Sequence, residues 1–254
     1  MNTLTPLARF NTALNLLPGH LQTAVIPAFR RVNALVGKPL SNAIRINHAG
    51  VPGFDLAAIR ALGFRRIAPF NDDFAYMVTA GNELGWSKPS FQTSVAQFEN
   101  DLGALNAFWQ RIIGHEEVHL QQYQQWPLTD SGLKHLVFDP PANKGAFRRR
   151  EQAIYEAFNF HDVLPQNEFH RSFPLPKLTH QEPSTRQNLE LTMLLILIEK
   201  QALAIELTRG KQSSLYPEVM ALRENAHDLF NHLHDLYQGF VSKYAALHGN
   251  ARYR

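Results

Sequence analysis

The segment from Arg111 to Trp126 holds His115-Glu116-Glu117-Val118-His119 within a run whose apolar residues recur at helical spacing. At about 100° per residue, Leu105, Phe108, Trp109, Ile112, Leu120, Tyr123 and Trp126 form one broad apolar stripe. Glu116 falls near the middle of that stripe, His115 and His119 lie toward one flank, and Glu117 points about a quarter turn away, toward the polar side. A carboxylate facing a core costs several kcal/mol of desolvation unless it is paired, protonated or bound to a metal. The fold must therefore set compensating groups against this helix, and two histidines within one turn are the nearest candidates.

The pattern is H-E-x-x-H. Histidines four apart on a helix share one side, so both imidazoles reach a single metal ion, and the intervening glutamate is placed to act as general base on a metal-activated water. The chain has no cysteine, which excludes disulfides, thiolate ligands and cysteine nucleophiles. Any metal is held by nitrogen and oxygen.

With 254 residues, 44% hydrophobic and 19% charged, the chain has the composition of a globular protein with a substantial core. We expect one domain, with an irregular N-terminal part (1–88) packed on a helical metal-binding core (89–254). A net charge of +3 gives no clear argument for nucleic acid. No acid precedes Asp55, whereas Arg9, Arg30, Arg31, Lys38 and Arg45 do, which fits a transit or membrane-surface arm or simply an uneven draw. The longest apolar run, Met193 to Ile198, is too short for a transmembrane segment. The expected location is cytoplasmic.

In chain order, Pro6, Pro18 and Pro27 leave room only for short helices in the first 50 residues. Residues 43–47 alternate like a short strand and 49–53 read as a turn. Segments 64–70 and 74–79 fit either strand or short helix, so the N-terminal third can hold a small β-sheet. Helical periodicity runs from Pro89 to Trp126, with Gly103 as a possible break and Pro127 as a stop. A loop (128–144), a helix (146–162) and a proline-rich connection (163–184), read as a lid or a strap, come next. The helix 187–209 is apolar on most sides and hence central, with a polar stripe of Thr192, Glu199 and Glu206. An amphipathic helix, 217–247, follows, its apolar stripe formed by Leu222, Ala226, Leu229, Leu233, Leu236 and Phe240. The fold class is mostly α, a bundle-like core.

His115-Glu-Glu-Val-His-Leu-Gln-Gln-Tyr-Gln-Gln-Trp126 resembles the active-site helix of zincin metallopeptidases, over about a dozen residues. The resemblance implies zinc, with His115 and His119 as ligands and Glu116 as the base. In that family the residue after the base is usually uncharged; here it is Glu117. The position six after His119 is Gln125, so a third histidine is missing, and a gluzincin-type glutamate is implied instead: Glu199, within Glu199-Lys-Gln-Ala202, or Glu151, with Glu156 pointing away from its helix's apolar face. The substrate class would be peptide or another small molecule with a hydrolysable bond.

Three other readings remain open. A di-iron carboxylate oxygenase would use Glu116, His119, Glu199, Glu224 and His227, since ferritin-like bundles pair two E-x-x-H units, although Glu224 falls nearly opposite its helix's apolar stripe. A metal-free polar cluster would be balanced by Arg148, Arg149 and Arg150. A helical interaction domain would have no chemistry. His227, His232 and His234 read as solvated, and Trp109, Tyr123 and Trp126 as core.

Overall fold

The computed structural model describes residues 4–41, 43–46, 52–70, 77–80, 83–98, 101–125, 186–209 and 217–248. The expected elements at 128–144, 146–162 and 163–184 lie outside them, as do Trp126, Glu151, Glu156 and Arg148 to Arg150.

The described chain is mostly α. Its helices are α1 (Pro6–Leu14), α2 (Gly19–Val32), α3 (Leu56–Ala61), α4 (Lys88–Gln97), α5 (Leu102–Gln125), α6 (Arg186–Glu206) and α7 (Pro217–His248). Five short strands accompany them: β1 (Ile44–Ile46), β2 (Pro52–Phe54), β3 (Arg66–Phe70), β4 (Met77–Ala80) and β5 (Glu83–Ser87). β1 and β2 pair antiparallel; β5 lies between β3, to which it is parallel, and β4, to which it is antiparallel.

The prolines explain the N-terminal helices. Pro6 opens α1, where a missing N–H costs nothing, behind a Thr5 cap that accepts from Ala8 N–H. Pro18 is the residue before α2. Pro27 stands inside α2, which is longer than the spacing of prolines suggested; it and Thr23, whose carbonyl lacks the N–H that Pro27 cannot supply, are both exposed residues.

The long helical stretch breaks between α4 and α5, just ahead of Gly103. Asp101 caps α5 there, its Oδ1 accepting from Ala104 N–H at 2.9 Å. Trp109 Nε1 donates to Ser94 Oγ at 2.9 Å across the break and ties α4 to α5. β1 is tied to α5 in the same way, Ile46 N–H donating to Asn106 Oδ1 at 2.8 Å.

Two apolar cores result. One joins α1, α2, α6 and α7 through residues such as Phe10, Phe29, Leu194, Leu197, Phe230 and Phe240. The other joins α3, α4, α5, β1 and β5 through Phe64, Phe91, Phe108, Trp109 and Ile113. A small third cluster of Val32, Leu35, Val118, Ala202 and Ile205 stitches α2, α5 and α6 together at the junction. From Thr192 to Leu207 every residue of the α6 segment is buried except Glu199, which is half-buried. The polar cluster sits where α5 meets α6, between the two large cores.

Candidate metal centre

α5 carries Arg111, His115, Glu116, Glu117, His119 and Gln122 into this junction; α6 and the turn after it bring Glu199, Gln201, Glu206 and Arg209. Ligand atoms of His115, Glu116 and His119 lie within 4.8 Å of one another. Glu199 completes the group: its Oε1 is 3.3 Å from His119 Nε2 and its Oε2 is 3.7 Å from His115 Nε2. The two Nε2 atoms are 3.0 Å apart.

Hydrogen bonding settles which ring nitrogens carry protons. His115 Nδ1 meets Glu206 Oε2 at 2.8 Å, and a carboxylate only accepts, so Nδ1 is the N–H. Glu206 is in turn held by Arg111, with Nε 2.6 Å from its Oε1. His119 Nδ1 meets Gln122 Oε1 at 2.9 Å. The Gln122 amide cannot face the other way, because its Nε2 donates to the Ile198 carbonyl at 2.9 Å and to Gln201 Oε1 at 3.0 Å. Both Nδ1 positions are therefore donors, and both Nε2 lone pairs converge on one point beside Glu199. Two facing lone pairs at that separation need a cation between or beside them, whether a proton or a metal.

Charges in the cluster follow from burial and neighbours. Burial opposes the charged form of His115, but hydrogen bonds and the charges of Glu199 and Glu206 outweigh it and raise its pKa well above 6.5. For His119 the same contest, with Glu199 the main partner, also ends in a raised pKa. Burial raises Glu199, yet His119 and His115 hold it far below the usual carboxylate range. Glu206 is likewise held down against burial, by Arg111 and His115. Glu116 differs: burial outweighs the histidines and pushes it up to about 7. Of Glu116, Glu199 and Glu206, it is the one whose pKa is raised toward neutral pH.

Several sequence expectations change here. Glu117 is buried rather than on a polar side, because α5 is covered on both flanks; Arg209 Nη2 stands 2.7 Å from its Oε2. Arg209 also donates to the carbonyls of Gly114, Lys38 and Pro39. Gly114 lets the chain pass closely, since a Cβ there would meet Leu40 Cδ2 at 2.5 Å. Glu224 and His227 are both exposed on α7, so the five-residue di-iron set is not assembled, and no Glu199–Glu224 pair forms. His234 is half-buried and not solvated on a free face: its Nδ1 lies 2.6 Å from Nζ of the fully buried Lys200. Arg111 and Arg209 supply the counter-charge that the 148–150 run was considered for.

Glu206, Arg111, Gln122 and Gln201 carry no role in the sequence reading. The signal for Glu206 was present, seven residues after Glu199 on the same stripe of a helix otherwise apolar. Arg111 and Gln122 lie four before His115 and three after His119, the positions that share the motif's face.

No known protein family, curated protein or solved structure matches this chain.

Proposed function

We propose that the chain is a zinc-dependent hydrolase whose single metal ion is held by His115, His119 and Glu199. One observation carries the reading: two imidazole lone pairs, each fixed by a partner on Nδ1, meet 3.0 Å apart beside the half-buried carboxylate of Glu199. Ligand atoms bound to zinc at about 2.0–2.1 Å in a tetrahedron stand about 3.3 Å from one another; here the two Nε2 atoms are 3.0 Å apart, and each has its own Glu199 oxygen at 3.3 Å (His119, Oε1) or 3.7 Å (His115, Oε2). Three protein ligands leave a position open for water, the arrangement of catalytic rather than structural zinc.

When bound, the ion supplies Lewis acidity, activating water and polarising a scissile carbonyl. The chain's own residues do the rest. Gln122 and Glu206 hold the two rings in the ligating tautomer. Glu116, one turn-face away between the histidines, accepts the proton of the attacking water and returns it to the departing amine. Arg111 keeps Glu206 ionised and out of the ligand set. The substrate class this supports is a peptide or other amide.

A two-iron oxygenase is the second reading, favoured by a further buried carboxylate beside His115, Glu206, and by the helical surroundings. It has Glu116, His119 and Glu199 to draw on, but not Glu224 or His227. Elemental analysis with activity of Glu116→Gln tests both. One zinc per chain and a Glu116→Gln variant that keeps zinc but loses peptide or amide hydrolysis is the expected result; two irons per chain, or a fully active variant, overturns it.

A further inference from the structure

Four side-chain amides lead away from His119, and every hydrogen bond along them runs in one direction. His119 Nδ1–H donates to Gln122, Gln122 Nε2 to Gln201 Oε1 at 3.0 Å, Gln201 Nε2 to Asn33 Oδ1 at 2.8 Å, and Asn33 Nδ2 to Asn11 Oδ1 at 3.2 Å. The backbone fixes this polarity. Gln122 Nε2 also donates to the Ile198 carbonyl at 2.9 Å and Gln201 Nε2 to the Phe29 carbonyl at 2.7 Å. Carbonyls only accept, so turning either amide over would set oxygen against oxygen.

The chain ends at a cavity between α1 and α2 of about 320 Å³, lined by Asn11, Thr12, Leu14, Asn15, Arg30 and Asn33. That volume is at the small end of ligand pockets. Asn11, which lines the cavity, closes the chain with its oxygen, so its Nδ2 is the donor left over at that end. Arg30 lines the same space and makes no ion pair among the described residues. No acid lines it. A cation and amide donors without a carboxylate are complementary to an oxyanion.

We propose that this cavity binds a small oxyanion, a carboxylate or phosphate compound, and that the amide chain reports its presence to His119. An acceptor on Asn11 Nδ2 polarises each successive amide in the direction already set. The last bond, His119 Nδ1–H to Gln122, strengthens, and Nε2 becomes a better metal ligand. Binding to the cavity stands independently of the metal reading; the effect on metal affinity rests on it.

The test titrates metal-free protein with inorganic phosphate and, separately, acetate, with chloride as control, following the Asn11 and Asn33 side-chain amide resonances. We expect saturable shifts at millimolar concentration or below, tenfold weaker in Arg30→Gln, with the better of the two anions identifying the source. Shifts that are absent, that chloride reproduces, or that Arg30→Gln leaves unchanged overturn the site. Zinc affinity, measured against a competing chelator, should tighten about fivefold in saturating anion for the wild type and stay flat in Arg30→Gln and Gln201→Met. An unchanged wild-type affinity overturns the coupling. If the protein takes up no zinc, the metal reading fails by itself, and the His119 ring nitrogen resonances of the metal-free protein report the coupling instead: a shift with anion that Arg30→Gln abolishes supports it, and no shift overturns it.

Discussion

His115 and His119 turn their Nε2 atoms toward each other at 3.0 Å, while each commits its Nδ1–H to a separate acceptor, Glu206 and Gln122. Neither ring can rotate out of this opposition without breaking a partly buried hydrogen bond. Replacing either histidine by alanine should therefore lower zinc affinity by orders of magnitude, and doing so to both should add little more. Competition against a chromogenic chelator measures this; a single variant that still binds as tightly as wild type removes that histidine from the ligand set.

Gln122→Leu keeps the volume roughly constant but removes the acceptor that holds His119. Outer partners of ligating histidines are worth about 10–100-fold in metal affinity, so a loss in that range is expected. The Gln201 oxygen, left without its Gln122 donor, costs about 1–3 kcal/mol of stability in addition. Thermal unfolding and zinc titration on the same sample separate the two effects, and undiminished affinity would show that Gln122 does not position His119.

Metal-free protein should have a characteristic pH profile. His115 and Glu116 have raised folded pKa values, so their contribution is complete below their unfolded values of 6.5 and 4.5 and is lost as pH rises through the folded ones, about 7 for Glu116. Glu199 and Glu206 are lowered, so theirs is present above 4.5 and lost as pH falls. Stability in chelator should peak near pH 4.5 and decline from there toward pH 8, first as Glu116 and then as His115 loses its contribution. Zinc must displace the proton the histidines share, so its affinity should rise over the range in which metal-free stability declines. A flat Tm from pH 5 to 8 in chelator contradicts the assigned charges.

Arg209→Met strands Glu117 as a buried, unpaired carboxylate and frees the carbonyls of Gly114, Lys38 and Pro39. Breaking one partner of a buried pair costs about 3–5 kcal/mol. Combining it with Glu117→Leu should restore much of the loss, as chemical denaturation of the two variants would reveal. No recovery in the double variant would place the cost in the carbonyls alone.

Glu116→Leu discriminates between chemistry and architecture. In a helical interaction domain, this buried carboxyl is only a cost, and the variant should be more stable than wild type. In the hydrolase it should be inactive, and the zinc-loaded form should gain nothing in Tm.

Helical periodicity over α5, α6 and α7 was legible because 3.6-residue repeats persist through many turns, and the carboxylate on the stripe of α5 made the junction predictable as a polar site. What escaped depends on contacts between elements far apart in sequence. Whether Glu117 faces water is decided by Arg209, and the state of His234 by Lys200; neither neighbour is visible from the helix's own pattern. Segments 64–70 and 74–79 stayed ambiguous because short apolar runs fit both periods; pairing with β5 makes strands of Arg66–Phe70 and Met77–Ala80 within or beside them.

α6 is apolar nearly all round, and such a helix has little reason to prefer one rotation about its axis over another. Glu199 and Lys200 remove that freedom. They are consecutive and so point about 100° apart: the first meets the histidines of α5, the second His234 and the rings of Phe230 and Tyr237 on α7. Turning α6 by one residue would withdraw both from their partners at once and leave a carboxylate and an ammonium stranded in oil-like surroundings. The two side chains act as a pair of keys cut at different angles, and they give an otherwise featureless rod a single orientation in its socket.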